Sequence, residues 1–321
     1  MSKKIHVALL SGGTSGEREI SQKGGDQVYQ ALDKDRYTVA RYDPRTDLSR
    51  LVADARSIDV ALVILHGAPG EDGTIQGLLD LLEIPYQCPG VMSSAIAMNK
   101  VVSKFFYEKA GIAVPAWESS RRGEPVDAKA VMHRLGLPLV VKPASGGSSL
   151  GMSIVHSPGA FDAALEAAHA CDDTVLLEQY LQGTEITGGV LGNQDLEALP
   201  LVEIVPLKDH EFFDYNAKYQ AGETDEICPA RLDSDLARQG RELALAAHRA
   251  LFCTGYSRTD MILSSGRLWV LETNTIPGMT PVSLLPLAAS KAGMNYSQLL
   301  DRLIGLALEK KSGLTGEMIN A

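Results

Sequence analysis

The chain has 321 residues, enough to bury large cores in two or three domains, and its 45% hydrophobic and 22% charged residues are ordinary globular material. Thirty Lys and Arg stand against 40 Asp and Glu, a formal charge of -10 that argues against a nucleic-acid or anionic-membrane surface. The four cysteines, Cys88, Cys171, Cys228 and Cys253, are scattered with no CxxC and no disulfide framework, as expected of a reducing compartment.

Basic residues precede an apolar run at the N-terminus, but the run ends at Ser11-Gly12-Gly13 and is too short to span a membrane. Ile5 to Leu10 therefore reads as a buried first strand. A Gly-rich stretch through Glu17 and Glu19 follows, and Ile20, Gly24, Val28, Ala31 and Leu32 then recur at helical spacing. Tyr37 to Tyr42 is a strand, Leu48 to Ala55 a short helix, and Val60 to Leu65 an apolar strand. That strand runs into a second Gly-rich loop, His66 to Thr74, and a helix through Leu78, Leu79 and Leu82. Over residues 1–98 this alternation predicts an open parallel α/β sheet, whose ligands collect beyond the carboxyl ends of the strands. Neither loop is a dinucleotide fingerprint or a Walker sequence. Read singly, each is a flexible turn and His66 a satisfied structural imidazole; two at one sheet edge favour substrate contact.

Asn99 to Ala110 reads as a helix ended by Gly111, Ile112 to Pro115 as the start of an extended piece, and Asp127 to Leu135 as a helix ended by Gly136. Pro138 to Val141 is a short strand that presents Lys142. A loop of small residues, Pro143 to Gly151, comes next, and Met152 to Val155 is extended again. A lysine beside a Ser/Gly loop offers a point charge, hydroxyl donors and unobstructed backbone N–H groups, which is the chemistry of a phosphate site. The plain alternative is a solvated surface hairpin, but such a hairpin has no need of a lysine closing a buried strand. Ala160 to Ala170 is an amphipathic helix, and Val175 to Leu181, which contains Glu178, Gln179 and Tyr180, is a strand leading to Glu185.

Ile186 to Leu191, Leu199 to Ile204 and a hairpin over 260–271 predict a mostly antiparallel sheet. Between them, residues 210–222 read as a loop rich in aromatics, either pinned to a core or closing on a ligand. Ser234 to Phe252 is a long amphipathic helix, and Tyr296 to Leu308 a terminal helix followed by a frayed Lys-rich tail. The hairpin is the most informative stretch. Its strands, Met261 to Leu263 and Leu268 to Leu271, flank the turn Ser264-Ser265-Gly266, so Asp260 should lie close to Glu272 and Asn274. Two carboxylates and an amide oxygen, with Arg258 beside them, form a hard-oxygen group suited to Mg²⁺. Alone it could equally be a hairpin with polar ends.

Together these features resemble the ATP-grasp fold, in which two α+β lobes clamp ATP. More narrowly, nearly the whole chain resembles the D-alanine–D-alanine ligase family. The matching stretches are Gly12 to Ser21, His66-Gly67 with Gly70 to Thr74, Lys142-Pro143 with Gly147-Ser148-Ser149, and Tyr215 to Tyr219. They continue through Cys228-Pro229-Ala230, Arg258 to Asp260, and Glu272 to Thr280. The resemblance implies an N-terminal substrate domain over 1–98, a central ATP-grasp lobe over 99–185 and a C-terminal lobe with the metal site over 186–321.

It also implies roles. Glu17, Ser148 and Tyr219 would hold the first D-alanine and close the loop, with His66 nearby. Lys100 and Lys142 would contact ATP phosphates, Glu178, Gln179, Tyr180 and Leu181 the adenine, and Glu185 the ribose. Asp260, Glu272 and Asn274 would hold two Mg²⁺ ions, for which Mn²⁺ can substitute. Arg258 and the Gly278 N–H would stabilise an oxyanion, while Lys218, Ser283 and Leu284 would take the second D-alanine. A homodimer in the cytoplasm is implied, with no nucleic-acid or membrane partner. The chain departs from the common pattern at Asn99, at Ala144 to Gly147, and at Thr273 and Ile276. Rival readings are a ligase using D-lactate or D-serine as second substrate, another ATP-grasp carboxylate–amine ligase, and a non-catalytic nucleotide binder.

Overall fold

The structure, a computed structural model, describes residues 3–147, 150–207 and 224–317, with side chains as far as Glu309. The apolar run at the N-terminus becomes β1 (Ile5–Leu10), which lies between β2 (Tyr37–Tyr42) and β3 (Val60–Val63) in a parallel sheet. Helices α1 (Arg18–Ala31) and α2 (Leu48–Asp54) make the connections, and α3 (Thr74–Leu81) follows β3. Leu9, Leu10, Leu62 and Val63 are buried on both faces of this sheet, as continuous apolar runs require. The predicted parallel order holds, although β3 stops before Ile64 and Leu65, where the chain turns into the His66 loop.

Helices α4 (Val91–Met98), which the sequence reading did not anticipate, and α5 (Lys100–Lys109) follow. Asn99 separates them and caps α5 by accepting the Val102 N–H at 3.0 Å. An aspartate would make the same cap, so Asn99 changes the charge and keeps the geometry. Next come β4 (Trp117–Arg121), α6 (Ala128–Leu135), β5 (Leu139–Pro143), β6 (Ser153–Val155), α7 (Phe161–Cys171) and β7 (Thr174–Gln179). The strands form an antiparallel sheet ordered β4-β7-β5-β6. Leu139, Val141, Val175 and Leu177 pack with Val131, Leu135 and Phe161 from the helices. Strand alternation then turns Val140, Lys142, Leu176 and Glu178 to the opposite face.

The C-terminal sheet contains β8 (Thr184–Gly192), β9 (Glu197–Ala198), β10 (Val202–Pro206), β11 (Thr224–Ile227), β12 (Gly255–Ser264) and β13 (Arg267–Asn274), ordered β11-β10-β8-β12-β13 with β9 beside β8. Helix α8 (Ser234–Ala250) lies close against it. A Cβ on Gly240 would stand 2.5 Å from the end of the Leu201 side chain, so a larger residue there would force Leu201 to move. The hairpin turn is Ser265-Gly266, with both residues at positive φ, as a two-residue primed turn demands.

After β13 come α9 (Leu284–Lys291), also unanticipated, and α10 (Tyr296–Glu317), which continues beyond the predicted end at Leu308. Both return to the first sheet: Leu299, Leu300, Leu303 and Ile304 share a core with Leu9, Leu62 and Val63, and the Tyr37 hydroxyl donates to Asp301 at 2.7 Å. The first sheet is thus covered by the last helix of the chain.

Thr273 and Ile276 are both buried. The Tyr107 hydroxyl donates to Thr273 Oγ1 at 2.7 Å, and Thr259 Oγ1 lies 3.0 Å from the same atom. Thr273→Val keeps the shape but leaves the Tyr107 hydroxyl buried without that acceptor, and should destabilise by about 1–3 kcal/mol. Urea unfolding with an unchanged m-value checks this; equal midpoints would mean the hydroxyl network contributes nothing.

Candidate active site

Two cavities of about 610 Å³ each lie between the sheets, a size suited to small ligands. They meet at Lys100, Gly146, Gly147 and Glu272, which line both. Among the described residues, those assigned to the nucleotide border the second cavity, with Lys100 on the shared wall, and those assigned to D-alanine border the first.

Lys142, Glu178, Gln179, Tyr180, Leu181, Glu185 and Asp260 line the second cavity. Antiparallel pairing of β5 with β7 sets Val140 opposite Glu178, so Lys142 reaches Glu178 diagonally across one face. Lys142 Nζ donates to Glu178 Oε2 at 2.7 Å, and Lys104 Nζ makes an ion pair with Glu178 Oε1. Burial opposes the charge on Glu178, but Lys104 and Lys142 outweigh it and hold the carboxyl below its usual range. Burial likewise works against the Lys142 ammonium, yet Glu178 and Glu272 push it up. For Lys104 burial prevails and pushes it down. Strand β7 ends at Gln179, so residues 180–182 leave the ladder where they border the cavity.

Glu17, His66, Arg258, Asn274, Gly278, Ser283 and Leu284 line the first cavity. The loop that carries Glu17 is anchored at both ends of its turn. Gly12 N–H donates to Ser21 Oγ at 2.8 Å, Gly13 N–H to Asp43 Oδ1 at 2.9 Å, and Arg18 pairs with Asp43. Gly12 has φ +98°, and a Cβ there would collide with the Asp43 carboxylate. Glu17 lies against Gly147, the residue before Ser148, as well as against Gly67. Ser148, Lys218 and Tyr219 lie outside the described residues. Burial lowers the His66 imidazole, with Glu17 opposing and Arg258 reinforcing the shift. Ser283 precedes α9, and its Oγ accepts the Thr280 N–H at 3.2 Å, which presents the start of that helix to the cavity.

The hairpin end joins the two halves. Register sets Asp260 opposite Glu272 and Arg258 opposite Asn274, and a bulge between Asp260 and Met261 shifts the pairing beyond them. Arg258 donates to both oxygens of Asp260, Nε to Oδ1 at 2.8 Å and Nη2 to Oδ2 at 2.7 Å. Asn274 Nδ2 donates to Oδ2 at 3.0 Å and Thr187 Oγ1 to Oδ1 at 2.6 Å. Lys100 Nζ lies 3.5 Å from Glu272 Oε2 and donates to the Gly146 carbonyl at 2.7 Å. One lysine therefore ties the small-residue loop to the hairpin.

Sequence reading passed over Lys104, Thr187 and Glu71. A lysine in mid-helix and a threonine in mid-strand look like surface residues, and their partners come from distant strands. Glu71 offered a signal, since it stands in the His66 loop. Its Oε2 accepts the Gly67 N–H at 2.7 Å. Burial, with Glu17 and Glu272 adding, pushes its carboxyl up to about 8 from 4.5 against the pull of Gly67 and Arg258. Between those values the folded chain keeps a proton that the unfolded chain releases, so stability falls as pH rises through this window. Glu71→Gln should flatten that dependence, read as unfolding free energy at about pH 5 and pH 8. Equal slopes in parent and variant would contradict a neutral Glu71.

Models of the D-ala D-ala ligase C-terminus and N-terminus match residues 106–305 and 43–89. A D-alanine–D-alanine ligase of Syntrophobacter fumaroxidans is 58% identical over 96% of this chain and 99% of its own. Among solved structures, the D-alanine–D-alanine ligase of Bacillus anthracis complexed with ATP has a TM-score of 0.84 at 35% identity, covering 96% of this chain and 99% of that one. The VanG D-Ala:D-Ser ligase of Enterococcus faecalis has a TM-score of 0.83 at 30% identity, covering 95% and 100%. With a full-length relative this similar and the expected arrangement of sheets, the chain belongs to the D-alanine–D-alanine ligase family of the ATP-grasp superfamily.

Proposed function

We propose that the two joined cavities carry out a ligation in two stages, ATP entering one and D-alanine the other. The chain is an ATP-dependent ligase that forms D-alanyl-D-alanine for peptidoglycan precursor synthesis. The observation that carries the reading is the shared wall: Lys100, Gly146, Gly147 and Glu272 border both cavities, so a phosphoryl group there is within reach of both ligands.

A carboxylate is a poor electrophile. Transfer of the γ-phosphoryl group to the first D-alanine carboxylate makes an acyl phosphate, from which phosphate can leave. Lys100 and Lys142 offset charge on the polyphosphate, residues 178–181 border the base, and Glu185 takes the ribose. Glu17 holds the ammonium of the first D-alanine, with His66 beside it and Ser148 and Tyr219 completing the contact. The second D-alanine attacks as a neutral amine, its carboxylate held by Lys218, Ser283, Leu284 and the start of α9. Arg258 and the Gly278 N–H meet the tetrahedral oxyanion, after which phosphate departs with one former carboxylate oxygen. Acyl phosphates hydrolyse, so the 144–151 and 210–222 segments would close over them.

Asp260, Glu272 and Asn274 offer hard oxygens on adjoining strands, a donor set that fits Mg²⁺. They would hold two Mg²⁺ ions, or Mn²⁺, which neutralise polyphosphate charge when bound. Arg258 donates to both Asp260 oxygens and also lines the first cavity, so one guanidinium holds this carboxylate in place beside the D-alanine side of the site.

No helix among the described residues is long and apolar enough to cross a membrane. Cytoplasmic location agrees with the use of ATP, and a homodimer is proposed. The divisions near residues 98 and 185 are proposed as the boundaries of three units.

Incubation with ATP and Mg²⁺ should give ADP, phosphate and D-alanyl-D-alanine from D-alanine and nothing from L-alanine. Preferential use of D-lactate or D-serine as the second substrate would reassign specificity, and turnover only with other amino acids would reject the ligase assignment. Glu272→Gln should lower kcat at least about a hundredfold with the fold intact, because it removes a carboxylate that would hold Mg²⁺ beside the polyphosphate. A variant within about tenfold of the parent would remove Glu272 from that role.

A further inference from the structure

Lys104 stands one turn after Lys100 on α5, has no accessible surface, and borders neither cavity. Its Nζ meets Glu178 Oε1 as a close ion pair, while Lys142 Nζ occupies Oε2 from the cavity side. The three groups form a buried row of ammonium, carboxylate and ammonium. Burying a lysine is unfavourable unless it is paired, and an apolar side chain of similar length would fill the same space.

Charge counting explains what the pairing does. With Glu178 as its sole partner, Lys142 would be part of a neutral pair and attract an anion weakly. A second ammonium behind Glu178 leaves the row with net positive charge, and Lys142 is its one cation facing the cavity. We propose that Lys104 is a positioning residue, which neutralises Glu178 from the dry side so that Lys142 meets the ATP polyphosphate as an uncompensated cation. This rests on the reading of the second cavity as the nucleotide site.

Steady-state kinetics on the full chain, with melting temperatures in parallel, test it. Lys104→Met should raise the KM for ATP about tenfold while the KM for D-alanine stays within about twofold, the scale of one charge lost several ångströms away at moderate dielectric. Adding Glu178→Gln restores the row's net charge and keeps an acceptor oxygen, so the double variant should have a lower KM for ATP than Lys104→Met, with Glu178→Gln alone measured beside it to report any loss of contact with the base. A Lys104→Met variant with a lower melting temperature and an unchanged KM for ATP would overturn the proposal and leave Lys104 as packing. Lys142→Met separates the two readings. A raised KM for ATP in that variant alone rejects only the role of Lys104, whereas an unchanged one rejects the nucleotide site and the proposal with it. Should Lys104→Met not fold, the double variant decides, and a KM for ATP as high as that of Lys142→Met would overturn the proposal.

Discussion

The register of the β12–β13 hairpin is the constraint on which the rest of the site depends. Setting Asp260 opposite Glu272 puts two carboxylates on adjoining strands, and the same register puts Arg258 opposite Asn274. A slip of one residue would turn this set to the other face of the sheet. The two-residue turn at Ser265-Gly266 and the buried Met261, Leu268 and Val270 prevent it. The bulge beyond Asp260 changes the pairing just where the two cavities meet. Thr259, Thr273 and Tyr107 then join the hairpin to α5, and α5 carries Lys100 to Glu272 and Lys104 to Glu178.

Charge is gathered at this junction and balanced locally. Asp260 is met by Arg258, Glu272 by Lys100, and Glu178 by two lysines, while burial pushes the Glu71 carboxyl up, toward its neutral form. Arg258, Lys100 and Lys142 thus each neutralise a carboxylate and stand where anionic substrates would enter, while Lys104 pairs with Glu178 from behind. Low dielectric strengthens these attractions and equally penalises a missing partner. Single substitutions here should therefore affect binding and stability together, and double variants are needed to separate them.

Much of the sheet architecture was readable from pattern because it is local. The apolar run of β1, the helical spacing of α1, and the turn after Ser264 each carry their signal in a few residues. Helices α4 and α9 were missed, since Val91–Met98 and Leu284–Lys291 are short and have weak amphipathic periodicity. The packing of α10 on the first sheet joins residues some 240 to 300 apart, and no local pattern announces it. The site divides in the same way. Motif residues such as Lys142, Asp260 and Glu272 stand out because their neighbours are unusual for a strand or turn. Lys104 and Thr187 do not, because their meaning comes only from the groups opposite them in space. Asn99 and Thr273, odd as letters against the family pattern, are ordinary as chemistry: one caps a helix and the other accepts a buried hydroxyl.

The central claim is that the carboxylate of one D-alanine in the first cavity attacks the γ-phosphoryl group of ATP in the second, across the wall formed by Lys100 and Glu272. D-Alanine labelled with ¹⁸O in its carboxylate tests this directly by mass analysis of the phosphate released during turnover. In-line transfer followed by displacement delivers a labelled carboxylate oxygen into each phosphate formed. Unlabelled phosphate, or formation of AMP and pyrophosphate, would contradict the account.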